Sequence, residues 1–488
     1  MKKPGFHYSP PIGWMNDPNG LVYRDGLYHL FYQFHPDDII WGPMHWAHAT
    51  SPDLIHWTDL AIALSPDSFG YIFSGNIVIA RESYGEDIRK DDLVAFFTHH
   101  DRQGFDQKTS RYERQSLATS SDGGESWRKF PGNPVLGNPG ETPDFRDPNV
   151  FWHSPTQQWI MCLSVGNSAH FYRSSNLTDW EFLSAFAYPV ENDRLWECVS
   201  LFPLRNKDTQ ETQWVLLQSQ TLQGPQNGSG TQYYVGHFDG NSFSLDRHFE
   251  DYLVKNGAVW LDWGPDNYAG MTWENTADEP EKKLFIGWMS NWMYADKTPV
   301  ANWRGMMTFP RELTLGTINE RPHLFVEFAE QIGSIRKQEI NVNESLVDRH
   351  KLDLPKELFT QGELELEISG LDNATLTLEF GNIIGNKFTI NYDPQVEHMT
   401  VDRSLARQNS IDDTFNDVSR PIDITSKNGR LSLHILIDRY SVEIIANHGE
   451  VAMTYLVFPD EEFDQLFLSN NGTGKINLVG QVFPLETN

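Results

Sequence analysis

Residues 51–57 read SPDLIHW, residues 120–127 read SSDGGESW, and residues 174–180 read SSNLTDW. Each stretch is a small polar turn that follows a strand-like run and ends in a tryptophan. The gaps of 70 and 53 residues between the three tryptophans fit four-stranded units joined by loops of variable length. Radial repetition of such units predicts a β-propeller, and the alternative is a set of ordinary hairpin turns in a β-sandwich.

The rest of the chain is rich in short β-strand patterns. Residues 26–32 (GLYHLFY), 92–97 (DLVAFF) and 158–163 (QWIMCL) are typical examples, each bounded by Gly, Pro, Asp or Asn. Helical periodicity is scarce, so we predict the all-β fold class.

The sequence changes character near residue 315. Tryptophan is frequent up to Trp303 and absent after it, and segments such as residues 364–368 (LELEI) alternate strictly between apolar and polar side chains. This alternation predicts half-buried antiparallel strands. We therefore expect a propeller in residues 1–325, a linker with a short helical connector in residues 326–342, and a β-sandwich in residues 343–488.

Composition narrows the range of functions. The 488 residues carry a formal net charge of -29, which repels phosphate backbones and anionic membranes but not a neutral sugar. We therefore expect neither nucleic acid nor membrane as a partner, while a homodimer is possible. Two cysteines, and no cluster of ligands at zinc spacing, predict neither a disulfide scaffold nor a metal or other cofactor.

The N-terminal residues 1–14 (MKKPGFHYSPPIGW) contain two lysines but no apolar segment after them. This pattern predicts no signal peptide and a cytoplasmic protein, or a secreted one if a signal has been removed. No run of 18 apolar residues occurs, so no spanning helix is expected.

Three acidic residues stand in unusual surroundings: Asp17 in WMNDPNG (residues 14–20), Asp147 in DFRDPN (residues 144–149), and Glu197 between Trp196 and Cys198. Taken singly, each Asp-Pro dipeptide is typical of a turn. Glu197 is flanked by residue types that are largely buried, so its charged form should be disfavoured, as a general acid requires. An arginine directly before Asp147 should instead keep that carboxylate ionised. Glycoside hydrolysis needs this combination of one carboxyl group that can donate a proton and other carboxylates that stay ionised.

These motifs resemble glycoside hydrolase family 32, which includes invertases, levanases and inulinases. Residues 14–20, the Arg-Asp-Pro motif at 146–148 and the Glu-Cys motif at 197–198 occur in the family's order and rough spacing. Residues 438–444 (DRYSVEI) resemble the family's C-terminal domain, so the likeness spans nearly the whole chain. The resemblance implies a five-bladed β-propeller with a central pocket, followed by a C-terminal β-sandwich.

The resemblance also implies roles for individual residues. Asp17 would attack the anomeric carbon C2 of fructose, Glu197 would act as general acid and then general base, and Asp147 would stabilise the transition state. Further pocket residues are expected: hydrogen-bond donors Asn16, Gln33, Ser74 and Arg146, apolar walls from Trp41, Phe73 and Trp303, and Asp262 also facing the pocket.

One motif departs from the family pattern, because Val199-Ser200 stand where the family usually has Pro-Asp after Glu-Cys. If the missing Asp tunes the acid or shapes the neighbouring loop, the pH optimum would differ.

The choice among fructosidases rests on residues 286–294 (IGWMSNWMY) and 302–305 (NWRG), which look more like levanases and exo-inulinases than sucrose-specialised enzymes. We expect an exo-acting retaining hydrolase that also accepts sucrose. The alternatives are a sucrose-preferring invertase, a fructosyltransferase, an arabinan-type five-bladed glycosidase and a non-catalytic sugar-binding protein.

Overall fold

The computed structural model describes residues 2–140, 142–188, 194–277, 280–407, 409–416 and 418–487. In these residues the strands form seven sheets, five in the N-terminal part and two in the C-terminal part. Among the described residues, no helix has the length and apolar character needed to cross a bilayer.

The five N-terminal sheets are the blades of a propeller. Blade I contains β1 (Gly13–Arg24), β2 (Leu27–His35), β3 (His45–Ser51) and β4 (Thr58–Asp59). Blade II contains β5 (Tyr71–Ile72), β6 (Ile77–Ile79), β7 (Leu93–His100), β8 (Glu113–Ser120), β9 (Arg128–Lys129) and β10 (Leu136–Gly137). Blade III contains β11 (Phe145–His153), β12 (Gln158–Val165), β13 (Ser168–Ser174) and β14 (Glu181–Phe186).

Blade IV contains β15 (Glu197–Arg205), β16 (Thr212–Gln220), β17 (Gly230–Phe238) and β18 (Phe243–Leu245). Blade V contains β19 (Tyr268–Thr272), β20 (Lys283–Trp288), β22 (Arg311–Ile318) and β23 (Arg321–Phe328), while the intervening β21 (Trp303–Arg304) pairs in parallel with β1. The inner strands β1, β6, β11, β15 and β19 neighbour one another in a ring.

Two six-stranded sheets pack as a sandwich around their own apolar core. In sheet order, the first contains β24 (Ile340–Leu346), β35 (Ile476–Pro484), β26 (Gln361–Ser369), β31 (Arg430–Asp438), β32 (Ser441–Ala446) and β33 (Val451–Leu456). The second contains β25 (His350–Leu352), β34 (Gln465–Asn470), β27 (Leu376–Gly381), β28 (Lys387–Asp393), β29 (His398–Asp402) and β30 (Ile422–Asp423). The helices are α1 (Arg102–Asp106), α2 (Arg247–Asn256) and short 3-10 helices at Ala295–Lys297, Glu330–Ile335, Lys356–Phe359 and Leu371–Asn373.

The predicted all-β class and the propeller followed by a sandwich are confirmed. The predicted domain edge at residue 325 falls inside β23, which ends at Phe328, and β24 begins at Ile340, inside the predicted linker. The helical connector expected in that linker is the 3-10 helix Glu330–Ile335.

The repeated polar turns have the same tryptophan hydrogen bond in three blades. The turns follow β3, β8 and β13, and in each the indole N–H donates to the carbonyl three residues earlier. Trp57 donates to Leu54, Trp127 to Gly124 and Trp180 to Leu177, all at 3.1 Å. The repeat in the sequence therefore marks the turn before the outermost strand of a blade.

Asparagine side chains join neighbouring blades at the inner ring. The amide of Asn76 in blade II donates to the carbonyl of Val150 in β11 and accepts from its N–H, both at 2.8 Å. Asn149 Oδ1 accepts from the N–H of Leu201 in β15 at 3.3 Å. These side chains satisfy backbone groups that no sheet ladder reaches between blades.

A buried ionic network joins the propeller, the sandwich and the N-terminal segment. Arg311 is 0% exposed and donates to Asp262 and Glu443, each at 2.7 Å. His7 lies between Asp438 (2.9 Å) and Glu443 (2.6 Å). Because every member has an opposite charge beside it, the network fixes how the two domains dock.

Candidate active site

A cavity of about 440 Å³ opens at the end of the propeller where β1, β11 and β15 begin. Two other cavities, of about 480 and 510 Å³, are larger, so volume alone does not identify the site. What distinguishes this one is the convergence of Asp17, Asp147 and Glu197, together with the predicted binding residues Asn16, Gln33, Trp41, Phe73, Ser74 and Arg146.

Bulges aim these side chains into the cavity. The register of three inner strands shifts between Arg146 and Asn149, between Glu197 and Ser200, and between Tyr268 and Met271. The residue after the first of each pair has a left-handed backbone: Asp147 (φ 61°), Cys198 (φ 49°) and Ala269 (φ 52°). A bulge leaves one residue outside the ladder and turns neighbouring side chains, which is how consecutive residues of one strand reach the same pocket.

Asp17 is held from two sides. Ser74 Oγ donates to its Oδ2 at 2.8 Å and Asn16 Nδ2 to its Oδ1 at 3.1 Å, while Cys198 Sγ lies 3.5 Å from Oδ2. Burial raises the pKa of Asp17, and the hydrogen bonds from Ser74 and Asn16 oppose that rise. The carboxylate is thus fixed in direction and poorly hydrated, both of which suit a nucleophile that attacks a bound sugar.

Glu197 accepts hydrogen bonds from groups at equivalent positions of the two adjacent blades. Arg146 donates to its Oε1 at 3.0 Å, and the hydroxyl of Tyr268 donates to its Oε2. The side chain keeps 20% exposure, so it is less buried than its apolar sequence neighbours suggested. This exposure gives Glu197 access to both a leaving group and an incoming water.

Arg146 is the charged centre of the site. Besides Glu197 it contacts Asp144 at 2.7 Å and Glu113 at 3.2 Å, and Glu113 also bonds His100 at 3.1 Å. Burial opposes ionisation of Glu113, but Arg146 together with hydrogen bonds from His100 and the N–H of Phe145 outweighs burial and lowers the pKa of that carboxyl. Arg146 therefore remains a fixed cation among three acidic side chains.

The surroundings of Asp147 argue against the permanent ionisation expected for it. Burial raises its pKa from 3.8 to about 8, because desolvation and the nearby charge of Glu197 outweigh the attraction of Arg146. Arg146 directs its guanidinium at Glu197 and Glu113 instead. Asp147 Oδ2 accepts from the N–H of Cys198 at 2.9 Å. Burial thus favours the protonated form of Asp147 in the free enzyme.

Comparison with known proteins decides the family. The model of the glycosyl hydrolases family 32 N-terminal domain matches residues 7–326, and that of the family 32 C-terminal domain matches residues 330–482. The chain belongs to glycoside hydrolase family 32. The resemblance in the sequence motifs is thereby confirmed.

Relatives of this family 32 chain act on fructans. It is 36% identical to a levanase of Bacillus subtilis (strain 168) over 99% of this chain and 70% of the relative, and 33% identical to an extracellular exo-inulinase of Aspergillus niger over 94% of this chain and 89% of the relative. The crystal structure of exo-inulinase from Aspergillus awamori superposes with a TM-score of 0.89 at 30% identity, covering 100% of this chain and 99% of the other. The β-fructofuranosidase of Schwanniomyces occidentalis complexed with fructosyl-erythritol gives a TM-score of 0.86 at 26% identity, covering 99% and 98%.

Two predicted pocket residues of this family 32 chain lie elsewhere. Asp262 is 1% exposed and belongs to the ionic network with Arg311 at the domain interface. Trp303 is 2% exposed and packs against Tyr440 and Phe458 of the sandwich region. The prediction is wrong for both. Buried polar and aromatic side chains are needed at the domain interface as well as in the pocket, and the sequence does not distinguish the two places.

Sequence motifs missed several residues that line the pocket, among them His100, Glu113, Asp144, Tyr268 and Trp292. Tyr268, from blade V, belongs to no motif singled out in the sequence. Trp292, from the segment after β20, stands in residues 286–294, which were used only to choose among fructosidases and not to predict a pocket residue. Asp144 is two residues before Arg146, and its acidity beside that arginine was the available signal.

The described residues contain one group with the spacing of metal ligands: Glu363, Glu365 and His434, whose ligand atoms lie within 4.8 Å of one another. It lies on β26 and β31 of the sandwich, and Arg336 already bonds both carboxylates. This cation occupies the place where a metal ion would be needed for charge balance.

Proposed function

We propose that this chain releases terminal β-D-fructofuranosyl units from fructans, fructooligosaccharides and sucrose, with retention of configuration. The observation that carries the proposal is the meeting of Asp17, Asp147 and Glu197 in one pocket of a family 32 propeller. The levanase and exo-inulinase relatives support fructans as the substrate class.

In the first step, Asp17 attacks C2 of the terminal fructosyl unit while Glu197 gives its proton to the glycosidic oxygen. The C2–O bond breaks, the alcohol or sugar leaves, and a fructosyl ester forms on Asp17. In the second step Glu197 takes a proton from water, whose oxygen attacks C2 and frees Asp17. The transition states carry positive charge near C2, so the buried carboxyl groups act where charge develops.

Asp147 is placed to bind sugar hydroxyls beside the reacting carbon. Burial favours its protonated form, which can donate one hydrogen bond and accept others, and the group gains negative character as the positive charge on the sugar develops. Asp147 and Asn16 are 6% and 3% exposed. The inner end of the pocket is therefore nearly closed, which favours a chain terminus over a chain interior.

The first experiment measures fructose release from sucrose, 1-kestose, inulin and levan, with an arabinan as the negative control. Glu197→Gln should lower kcat on sucrose by about 10²–10⁴-fold. Glu250→Gln, on the exposed first turn of α2, is the matched control and should leave activity unchanged. Activity on sucrose and 1-kestose alone would favour the invertase alternative, and release of arabinose without fructose would contradict the proposal.

The separate roles of the two carboxyl groups can be tested by changing the leaving group. An activated substrate such as p-nitrophenyl β-D-fructofuranoside needs little protonation, so Glu197→Gln should recover much of its lost rate on it. Asp17→Asn should recover none. Transfer to methanol in the wild type should give methyl β-D-fructofuranoside, and the α-anomer would contradict retention.

A cytoplasmic location and a homodimer stay predictions. Cell fractionation checks the first, and sedimentation of the purified chain checks the second.

A further inference from the structure

A second cavity, of about 510 Å³, opens at the opposite end of the propeller, and it is called the far cavity below. All five blades line it: Val22 from β1, Val78 from β6, Phe151 from β11, Leu201 from β15 and Glu274 just after β19. Its volume falls within the roughly 300–1,000 Å³ of pockets that hold small ligands.

The far cavity is distinct from the active site. Along β11, Asp147 lines the active site and Trp152, five residues later, lines the far cavity. At about 3.3 Å per residue, the two are roughly 15 Å apart along the strand. Neither cavity shares a lining residue with the other.

Aromatic rings form one wall of the far cavity. Trp152 and Trp214 both line it, and the guanidinium of Arg81 lies 4.9 Å from the ring centre of Trp152. The indole nitrogen of Trp152 is buried, and it has no hydrogen-bond partner in the part of the chain that the structure describes. Buried indole N–H groups normally have an acceptor. This nitrogen is closed to solvent, so a ligand hydroxyl would become its acceptor only if the Trp152 ring turned toward the far cavity.

Charged groups of both signs complete the lining. Lys283 is 2% exposed, its Nζ lies 3.9 Å from Glu274 Oε1, and the exposed Arg81 and Asp91 stand at the rim. The lining thus contains both donors and acceptors, as polyhydroxy ligands require, because each hydroxyl can both donate and accept. An anion would meet Glu274, Asp91 and a chain of net charge -29.

We propose that the far cavity binds a neutral oligosaccharide of a few sugar units. The polyhydroxy class follows from the lining, whereas the choice of a fructan fragment rests on the proposed function. Binding there would tether the protein to a substrate chain while the pocket at the other end works on a terminus.

The test titrates 1-kestose into the full-length Asp17→Asn/Glu197→Gln protein, which lacks both the nucleophile and the acid and should consume it far more slowly than either single variant, and measures stoichiometry by calorimetry. We expect two binding events. The rim double variant Arg81→Ala/Asp91→Asn should weaken the second event about five- to tenfold for each hydrogen bond lost. Arg128→Ala, an exposed arginine of blade II paired with Asp87, is the matched control and should change neither event.

Indole NMR gives a second readout. The Trp152 Nε1–H resonance, assigned by its loss in Trp152→Phe, should shift with the second event in the otherwise intact protein. The absence of any binding event that the rim variant weakens, or an unmoved Trp152 resonance, would overturn the proposal. Fructose release by the wild type is assayed separately. Its absence would reject the proposed function, while the titration would still test whether the far cavity binds an oligosaccharide. Maltotriose, which contains no fructose, is the second probe in that titration.

Discussion

The three carboxyl groups show what a motif reveals and what it hides. Asp17, Asp147 and Glu197 could be chosen from the sequence because their motifs occur together in the order of family 32, although each Asp-Pro dipeptide taken singly is typical of a turn. The direction of their pKa shifts could not be predicted from the sequence, because each pKa depends on which side chains meet across neighbouring blades. Arg146 is next to Asp147 in the chain, yet its guanidinium reaches Glu197, 51 residues away. Asp262 was misplaced for the same reason, since its partner Arg311 lies 49 residues further on.

Replacing Asp147 with Asn should stabilise the free protein at alkaline pH while lowering its activity. Because the folded pKa is about 8 against an ordinary 3.8, the folded state holds a proton that the unfolded chain has released. Wild-type stability therefore falls as pH rises from about 4 to about 8. Asp147→Asn should flatten that fall and raise Tm at pH 9, while kcat drops more than KM changes.

Thermal unfolding monitored from pH 5 to pH 9, with initial rates on sucrose, checks both halves of this prediction. Asp251→Asn, exposed on α2, is the control for removing one acidic group. An unchanged pH slope in Asp147→Asn would contradict the burial argument, and a rise in KM alone would contradict a role in the transition state.

Tyr268 is the residue-scale prediction for positioning. Its hydroxyl donates to Glu197 Oε2, and Arg146 holds the other oxygen. Tyr268→Phe keeps the ring and removes that donor, so kcat should fall about tenfold or more, the effect of one hydrogen bond to a charged group. Steady-state kinetics on 1-kestose measures the separate effects on kcat and KM, and an unchanged kcat would show that Arg146 alone fixes the acid.

At the scale of the element, the strands were predictable and their irregularities were not. Alternation and turn residues locate β-strands, and the repeat of polar turns located blades I to III. The bulges at Asp147, Cys198 and Ala269 have no matching sequence signal, since none of the three is a glycine. They are set by contacts between blades, as when Asp147 N–H donates to Thr98 Oγ1 at 3.0 Å and Ala269 N–H to Ser219 Oγ at 3.1 Å.

The asparagine link between blades II and III gives the element-scale prediction. Asn76→Ala would leave the N–H and the carbonyl of Val150 buried and unsatisfied, so the protein should lose about 2–6 kcal/mol of stability. Denaturant unfolding measures the loss, and hydrogen exchange at Val150 should rise ahead of exchange elsewhere in β11. Asn241→Ala, on an exposed turn, is the control, and equal stability of the two variants would refute the link.

At the scale of the whole molecule, the order of the two domains followed from the change in texture near residue 315. The way in which the two domains dock could not be predicted from the sequence. The interface consists of paired charges, and no local pattern tells which of many Asp, Glu and Arg residues will be buried together. The cost of taking charges from water means that such a set persists only when each member is matched.

His7 carries the whole-molecule prediction. Burial alone would lower its pKa, but hydrogen bonds to Asp438 and Glu443 outweigh that and raise it to about 9. The stabilisation is therefore fully present below about pH 6.5 and lost as pH rises through about 9. His7→Gln should cost about 3–5 kcal/mol at pH 6, because two buried carboxylates lose their cation.

Chemical denaturation at pH 6 and pH 9 tests this, with the exposed His237→Gln as the control. The deficit of His7→Gln should be much smaller at pH 9 than at pH 6. An equal deficit at both values would mean that His7 is neutral in the fold.

The hydrogen bond from Thr487 Oγ1 to the carbonyl of Gly5, at 2.9 Å, brings the two ends of the described chain side by side. A short added linker could therefore join these two ends of the described chain while new ends are cut in an exposed blade turn. A circularly permuted chain of this kind should keep both domains docked.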